Sequence, residues 1–329
     1  MDRLTLLNRW QHGFPLDGRP FARVASALGT DEIAVIAGFE AARAEGSLSR
    51  IGGVWAAGAG GAALLVAMAV PADRLDAVAA QVDALPGVNH NYEREHRFNL
   101  WFVITGTEGA TLHARLDALE HDTGLATLRL PMQRVYRIDL GFDLRGAVAA
   151  TDRPHAERRA APVAEAERPL AVLVEAGMPL VVRPYTAWAT QLGRDEAEVL
   201  ATIERWLDRG TLRRFGVVVR HHELGFDRNA MTVFDVPDDE VDARGAALAA
   251  QPGVTLCYRR ARAAGWPYNL YCMVHGRERE AVRATIAAAA RAAGLEHRPH
   301  EVLFSLRRFK QQGGSYFRSA QRVADHEHA

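Results

Sequence analysis

An internal repeat limits what this chain can fold into. The motif G-x-P-L-x-x-R-P starts at Gly13 and returns at Gly177, 164 residues later. Further along, after small insertions, the turn Pro86-Gly87-Val88 matches Pro252-Gly253-Val254. Because such self-similarity marks a duplicated architecture, each half is expected to contain the same elements in the same order.

Apolar periodicity predicts the elements of each half. Short helical patterns come first; the longest in the second half, 194–209, is stopped by Gly210, and the strand-like run 212–220 follows it as a wing would. Three short helices and a wing predict a helix-turn-helix module. Next comes the ferredoxin-like order strand-helix-strand-strand-helix-strand. Its segments are 62–70, 72–85, 88–96, 99–105, 111–122 and 125–136 in the first half, and 229–236, 238–251, 254–262, 268–275, 277–293 and 301–306 in the second.

The predicted fold class is therefore α+β, a tandem repeat of a winged helix-turn-helix and a ferredoxin-like βαββαβ domain. The predicted divisions are 1–60 and 61–143 for the first half, 144–168 for a linker, 169–226 for the second helix-turn-helix and wing, and 227–329 for the second ferredoxin-like domain with the C-terminal tail. We expect the two four-stranded sheets to pack on each other, which makes one chain an internal pseudo-dimer.

Charge and composition exclude several classes of protein. Forty basic residues balance forty acidic ones, so no global positive field draws the chain onto nucleic acid or an anionic membrane. Cys257 and Cys272 form no C-x-x-C motif and are expected to be buried, reduced thiols. The chain shows no signal-peptide pattern, and its apolar run 62–70 is too short to span a bilayer. We therefore expect a soluble cytoplasmic protein without a membrane partner.

The stretch 88–101 predicts a polar strand beside a buried one. In an extended strand alternate side chains share a face, which puts Val88, His90, Tyr92, Arg94 and His96 on one side and Asn89, Asn91, Glu93 and Glu95 on the other. Neither set has the composition of a core face. Imidazole, phenol and guanidinium groups on one face can bind carboxylates and deliver a proton at the same place. The alternative is a solvated edge strand.

Three stretches resemble a known family. They read H-N-Y-x-R-x-H-x-x-N-L-W-F at 90–102, R-R-F-G-V-V-V-R-H-x-E-L-G-F at 213–226, and C-Y-R-R followed by W-P-Y-N-L at 257–270. The combination resembles the sirohaem decarboxylases, which share a fold with the leucine-responsive/AsnC transcription regulators. The resemblance covers both halves, and this chain looks like a fused pair of the family's two related subunits.

The resemblance implies a carboxy-lyase that removes carbon dioxide from the C12 and C18 acetate groups of sirohaem to give 12,18-didecarboxysirohaem. That product feeds d1-type haem synthesis or an alternative route to protohaem, and the fused form most resembles the denitrification version. Implied partners are sirohaem, paralogous decarboxylase subunits and a second copy of the chain. The R-H-x-E-L-G-F motif implies that His221 approaches or ligates the sirohaem iron.

Two other classes remain as alternatives. A DNA-binding, ligand-sensing regulator needs basic or amide side chains at the start of its recognition helix. Here the corresponding helices begin Thr30-Asp31-Glu32 and Arg194-Asp195-Glu196, and carboxylates repel phosphate, so DNA binding is disfavoured. A haem-binding module without catalysis would use the same histidines and arginines, so the sequence does not separate it from the enzyme.

Candidate residues follow from the chemistry of decarboxylation. The macrocycle itself accepts the electrons, so no organic cofactor is expected, and iron arrives with the sirohaem substrate. The candidate catalytic residues are His90, His96, Tyr92 and Arg94. The candidate substrate-binding residues are Arg50, Asn99, Trp101, Arg214, His221, Tyr258, Arg260 and Tyr268. For each histidine the alternative is a hydrogen-bonded structural residue, for the arginines it is a surface salt bridge, and for the aromatic residues it is packing of the sheet.

Comparison of the halves predicts one principal site. His90 corresponds to Leu256 and His96 to Arg262, so the strand histidines exist only in the first half. His221 has Ala57 as its first-half counterpart. Two equivalent sites would each need a proton donor, so we expect a single site on the first-half strand, assisted by the second half.

Overall fold

The computed structural model describes residues 2–56, 58–138, 160–219, 228–314 and 316–317. In chain order its elements are α1 (Arg3–Arg9), α2 (Pro20–Leu28), α3 (Glu32–Ala44), β1 (Leu48–Trp55), β2 (Ala62–Met68), α4 (Leu75–Ala84), β3 (Val88–Arg94), β4 (Leu100–Gly106), α5 (Gly109–Thr123), β5 (Thr127–Ile138), α6 (Arg168–Ala176), α7 (Pro184–Leu192), α8 (Glu196–Asp208), β6 (Leu212–Val219), β7 (Arg228–Phe234), α9 (Val241–Ala249), β8 (Val254–Arg260), β9 (Leu270–Gly276), α10 (Arg279–Ala292) and β10 (His300–Gln311). Short 3₁₀ turns precede α4 and α6.

These elements form two compact units, and each unit takes one segment from each half. The first unit holds the described residues up to 60 and those of 160–219, and the second holds 61–138 and the described residues from 228 onward. Equivalent domains of the two halves therefore associate with each other, as predicted for an internal pseudo-dimer.

In the first unit the two predicted wing strands pair with each other. β1 and β6 run antiparallel with Gly52 opposite Gly216. A Cβ on Gly52 would lie 2.6 Å from Val174 O of α6, and one on Gly216 would lie 2.5 Å from Trp10 O, just after α1. Glycine is required at both positions because a helix of the opposite half approaches the strand backbone there.

The starts of the two predicted recognition helices are occupied by internal contacts. Asp31 caps α3 by accepting a hydrogen bond from the Ala34 N–H at 2.8 Å. Glu32 pairs with Arg19, and in the second copy Glu196 pairs with Arg183 at 3.1 Å.

In the second unit the two ferredoxin-like sheets join into one closed sheet. Its strand order is β10-β3-β4-β2-β5-β8-β9-β7, and β7 pairs back onto β10. The last strand of each half is long enough to serve both sheets: β10 pairs with β7 through 300–304 and with β3 through 305–311. β5 does the same between β2 and β8. Hydrogen bonding thus crosses between the halves at two strands.

Three apolar clusters fill the second unit. Two lie between the sheet and the helices of each half, and the third lies inside the closed sheet. The inner cluster is rich in aromatic residues, including Trp101, Tyr258, Trp266 and Tyr271. Both cysteines are free and buried on the helix side of the second half, as predicted.

The structure corrects the prediction that neither face of the polar strand is a core face. Asn89 and Asn91 are buried, with exposed fractions of 4% and 0%. The Asn91 Nδ2 donates to Ala79 O at 3.2 Å and to Asp83 Oδ1 at 2.9 Å in α4, so the burial of its NH₂ group is compensated by hydrogen bonds. Polar composition misled the prediction because both amides form hydrogen bonds inside the fold.

Other expectations differ at the edges of elements. β3 ends at Arg94, so His96 lies outside the strand. The predicted linker is described only from residue 160 onward, where it packs on the first unit: Ala160 and Val163 are buried, and the Val163 N–H donates to Ala59 O at 2.6 Å. A single buried valine carries no periodicity, which is why the sequence pattern missed this contact.

Among the helices that the structure describes, none combines the length and the apolar character that a membrane span needs.

Candidate active site

Three of the predicted catalytic side chains form a column on β3. The rings of His90 and Tyr92 stack with centroids 6.3 Å apart and planes inclined by 25°. The Arg94 guanidinium carbon lies 5.6 Å from the centre of the Tyr92 ring, within cation–π distance. We call His90, Tyr92 and Arg94 the β3 column.

An irregularity in β3 directs this column towards the interior of the closed sheet. The pairing register of β3 and β4 shifts between Val88 and His90. Val88 therefore packs with the helices, although it and His90 are two residues apart. His90 lies opposite Val103 and Tyr92 opposite Trp101, both of which belong to the inner cluster. The column consequently lines the interior of the sheet.

His90 has a defined hydrogen-bond partner. Its Nδ1 lies 2.6 Å from the Oδ1 of Asn89, and burial lowers its pKa from 6.5 to about 4. At neutral pH the imidazole of the substrate-free protein is therefore uncharged. It can accept a proton or bind a metal, but it is not an imidazolium until a negative charge comes close.

The other two members of the column differ in charge. Burial raises the pKa of Tyr92, so its phenol stays neutral. Burial lowers the pKa of Arg94 to about 10, which leaves the guanidinium cationic at neutral pH. Arg94 is 6% exposed, and among the described residues it forms no salt bridge with a carboxylate. A buried cation without an anion favours binding of a carboxylate.

Arg94 has a counterpart in the second half with the same contacts. Arg94 Nη1 donates to Leu303 O of β10 at 3.0 Å, and Arg260 Nη1 donates to Leu130 O of β5 at 2.6 Å. Arg260 lies over the ring of Tyr258 at 4.7 Å, as Arg94 lies over Tyr92. The alternative of surface salt bridges is wrong for this pair. Each guanidinium donates a hydrogen bond to a strand carbonyl near the point where the long strand passes from one sheet to the other.

His96 lies beyond the column and carries its proton on the other nitrogen. The backbone N–H of Phe98 donates to His96 Nδ1 at 3.0 Å, so the neutral ring is protonated at Nε2. Burial lowers its pKa, and nearby Glu301 opposes that shift. Its ring packs edge-on against Trp266 at 5.4 Å. The two predicted acids are therefore chemically different.

The predicted ring-stacking residues mostly build the core. Trp101 is 2% exposed and its Nε1 donates to Phe98 O at 2.6 Å. Tyr258 is buried and stacks on Tyr271 at 5.9 Å. Tyr268 is half-buried beside Trp266, with ring centroids 4.8 Å apart. Trp101 and Tyr258 have no face open to a ligand, whereas Tyr268 keeps part of its surface exposed.

Asn99 is a structural residue of the hairpin. Its Oδ1 accepts from the Val70 N–H and its Nδ2 donates to Val70 O, both at 2.9 Å. Asn269 makes the same pair of bonds to Val236 in the second half. The amide thus replaces a missing strand partner, and binding of substrate by Asn99 stays a prediction.

Two predicted substrate arginines lie in the first unit. Arg50 donates to Gly53 O at 3.2 Å and lines a cavity of about 180 Å³ together with Arg43. Arg214 is buried and donates to Gln11 O at 2.6 Å and to Val217 O at 2.9 Å. These bonds give Arg214 a structural role. His221, the predicted iron-proximal residue, lies outside the described residues.

The structure also adds polar residues that sequence reasoning missed. Ser305 of β10 pairs with Arg94, and its hydroxyl donates to Oδ1 of the buried Asn229 on β7 at 2.7 Å. Arg308 lies opposite Tyr92. In the second half the matching strand β8 faces the apolar Met132 and Val135 at these positions. Only this difference between the two halves could have indicated the polar residues of β10. No group of three metal-ligating side chains occurs within the described ranges.

Comparison with known proteins agrees with this architecture. A family model described as "AsnC-like ligand binding domain" matches residues 59–137 and 223–310. A second, "Siroheme decarboxylase NirDL-like HTH domain", matches 4–48 and 168–213. Fold and matches together define a duplicated helix-turn-helix and AsnC-like ligand-binding protein.

Individual relatives narrow the class. The siroheme decarboxylase NirDL subunit of Paracoccus denitrificans (strain Pd 1222) is 43% identical over 95% of this chain and 96% of its own length. The NirD subunit of Stutzerimonas stutzeri is 52% identical over 42% of this chain and 91% of its own. A crystal structure of siroheme decarboxylase NirDL in co-complex with an iron-uroporphyrin III analogue has a TM-score of 0.68 and 28% identity, covering 99% and 96% of the two chains. The chain belongs to the siroheme decarboxylase family, which confirms the resemblance carried by the three motifs.

Proposed function

We propose that this protein removes carbon dioxide from the C12 and C18 acetate side chains of sirohaem, giving 12,18-didecarboxysirohaem for d1-type haem synthesis. Full-length relatives bear the name siroheme decarboxylase, and a related structure was solved with an iron-uroporphyrin analogue. The motifs at 90–102 and 257–270 lie on the β3–β4 and β8–β9 hairpins of the closed sheet.

The β3 column is the observation that carries the proposal. It combines a neutral imidazole, a neutral phenol and a buried cation on one face. The cation has no carboxylate partner among the residues that the structure describes. A substrate with several carboxylates supplies the missing anion, and the imidazole beside it can handle a proton.

The reaction replaces one bond and consumes one proton for each acetate. The bond between the methylene carbon and the carboxylate breaks, carbon dioxide leaves, and the electron pair passes into the macrocycle. A proton then adds to the methylene carbon and leaves a methyl group. Because the macrocycle is the electron sink, the reaction needs no organic cofactor, and the iron arrives with sirohaem.

His90 gains its proton when the substrate binds. With a pKa of about 4, roughly one imidazole in a thousand is protonated at pH 7. A carboxylate placed beside Nε2 raises that pKa, so the ring takes a proton from water and passes it to the carbon as the carboxylate leaves. Tyr92 supports the ring by stacking, and Arg94 holds a substrate carboxylate.

The proposal includes one principal site in the first half. β8 carries Leu256 where β3 carries His90, so the second copy of the strand has no imidazole at this position. Half-length relatives named as NirD, NirL and NirH subunits support association with paralogous subunits or with a second copy of the chain.

Anaerobic incubation with sirohaem, followed by mass analysis of the macrocycle, tests the proposal. We expect loss of two carbon dioxide units per macrocycle without any added coenzyme. An absolute need for a coenzyme would contradict the electron-sink argument. Tight binding of sirohaem with no release of carbon dioxide would instead identify a haem-binding module.

A further inference from the structure

A chain of three hydrogen bonds leads from the backbone to His90. The Thr105 hydroxyl donates to Gly87 O at 3.2 Å. The Asn89 Nδ2 donates to Thr105 Oγ1 at 3.0 Å, and the Asn89 Oδ1 lies 2.6 Å from His90 Nδ1. The two side chains in the middle of this series are buried: Asn89 is 4% and Thr105 is 1% exposed.

The direction of this chain follows from the fixed acceptor at its start. A backbone carbonyl only accepts, so the single hydroxyl proton of Thr105 points at Gly87 O. Thr105 Oγ1 then accepts from the amide of Asn89, which turns the Asn89 carbonyl oxygen towards His90. An amide oxygen also only accepts, so the proton of the neutral imidazole must sit on Nδ1.

We propose that Asn89 is a positioning residue that holds neutral His90 in the Nδ1–H form and leaves Nε2 free to exchange the proton of the reaction. This inference rests on the proposed function for its catalytic meaning, but the proton position can be measured without substrate. Asn89 acts through His90 and touches no reacting atom.

The second half lacks the series of hydrogen bonds that leads to His90. Thr255 and Leu256 take the places of Asn89 and His90, and His275 takes the place of Thr105. The Thr255 hydroxyl donates to Met273 O at 3.1 Å and lies 2.9 Å from His275 Nδ1. Thr255 thus bonds only to β9 in these contacts, and the apolar Leu256 offers it no hydrogen-bonding group. The asparagine and the histidine occur together in the first half only.

Few groups around His90 can disturb its titration. On its own strand the next inward side chain is Tyr92. From β4 the facing residue is the apolar Val103, and from β10 it is the uncharged Gln311, with the cationic Arg308 opposite Tyr92. Within the described residues no carboxylate faces the imidazole, so a carboxylate introduced at position 89 would dominate.

The experiment compares three variants of the full chain. Asn89→Leu keeps the volume but removes the acceptor, Asn89→Asp keeps the acceptor and adds charge, and Thr255→Val is the matched control in the second half. The first readout is the ¹⁵N NMR spectrum of the substrate-free protein labelled at histidine. The second is the pH profile of kcat with sirohaem, together with its binding constant.

We expect the wild-type His90 to show a protonated Nδ1 and a bare Nε2. Asn89→Leu should lose this preference and reduce kcat by about 10–100-fold, the size typical of losing a histidine-orienting partner, with sirohaem still bound. Asn89→Asp should restore the Nδ1–H form and move the alkaline limb of the kcat profile upwards by about one pH unit or more. Thr255→Val should leave the His90 signals and the pH profile unchanged, and among the histidine signals only that of its neighbour His275 should move.

Two results would overturn the inference. One is a wild-type His90 protonated at Nε2. The other is a pair of Asn89 variants that only unfold more easily, with unchanged histidine spectra and pH profile, which would make Asn89 structural. If the wild type shows the expected spectrum but releases no carbon dioxide, the proposed function fails and the assignment of the proton stands.

Discussion

Single residues divide the candidate histidines into different chemical forms. His90 donates from Nδ1 to a side chain and keeps Nε2 open, whereas His96 accepts at Nδ1 from the Phe98 N–H and keeps its proton on Nε2. Only His90 belongs to the β3 column. The sequence placed both on one strand face and could not distinguish them, because proton positions depend on partners that come from other parts of the chain.

Replacing His90 by alanine should reduce turnover by about 10²–10⁴-fold, the range typical of a lost proton-transfer group, with sirohaem still bound. The matched control is Leu256→Ala, which removes the equivalent side chain of β8 and should affect packing or affinity instead. Carbon dioxide release and a binding titration check both. Normal turnover by His90→Ala and His96→Ala with bound sirohaem, combined with an inactive His221→Ala, would move the site to the other half.

The titration of His90 should make folding sensitive to acid. Its pKa is about 4 in the folded, substrate-free protein and near 6.5 when unfolded, so the unfolded state binds more protons between these values. The free energy of unfolding should therefore be unaffected by this group above pH 6.5. It should fall by up to about 3 kcal/mol as the pH drops from 6.5 to 4, and this contribution should level off at lower pH. Urea unfolding at several pH values measures this. His90→Gln should lose most of the effect, and an unchanged slope would contradict the burial argument.

Among the elements, β5 and β10 decide the architecture. Each begins in its own sheet and finishes in the sheet of the other half. A guanidinium binds a strand carbonyl at the change of partner, Arg94 in one case and Arg260 in the other. These arginines therefore link the geometry of the closed sheet to the floor of the candidate site.

Arg94→Met and Arg260→Met should each lower the free energy of unfolding by about 1–3 kcal/mol, because each leaves one buried carbonyl without its donor. The two losses should be similar, since the contacts are equivalent. Arg94→Met should also weaken sirohaem binding, because Arg94 belongs to the β3 column together with His90. Denaturant unfolding and a binding titration separate the two effects; equal affinity in both variants would remove Arg94 from the site.

The order and type of the elements were predictable because each carries its own periodicity. The repeat predicted that the two halves pair with each other, and the motif at 90–102 predicted the strand that carries the candidate site. What failed required contacts between distant segments. The prediction ended the last strand at Leu306 because the residues beyond it are mostly polar. In the structure these residues pair with β3 of the other half, so the strand continues to Gln311. The register shift before His90 likewise depends on pairing with β4.

At the scale of the whole molecule, neither half can complete the second unit alone. A half by itself would leave β3 and the end of β5, or β8 and the end of β10, without their partners. Unpaired strand edges tend to associate with other chains. The half-length relatives show that such segments exist as separate subunits.

Dividing the chain after residue 149, outside every described element, should therefore give two fragments that purify together when co-expressed. Expressed singly, each should aggregate or pair with itself, because its long strand lacks a partner. The joined fragments should release carbon dioxide from sirohaem, while the second fragment alone, which lacks His90, should not. Size-exclusion chromatography and product analysis check this. Two stable monomeric fragments would contradict the shared-strand architecture.

The pairing of β10 with β3 also affects what each copy can lose over generations. The second copy has no histidine at the position of His90, yet its final strand forms the wall beside that residue, with Gln311 opposite His90 and Arg308 opposite Tyr92. A substitution at either position changes the surroundings of a group encoded more than 200 residues earlier in the gene. The copy without the histidine therefore still shapes the surroundings of His90, and we expect the two copies to be inherited as one working unit.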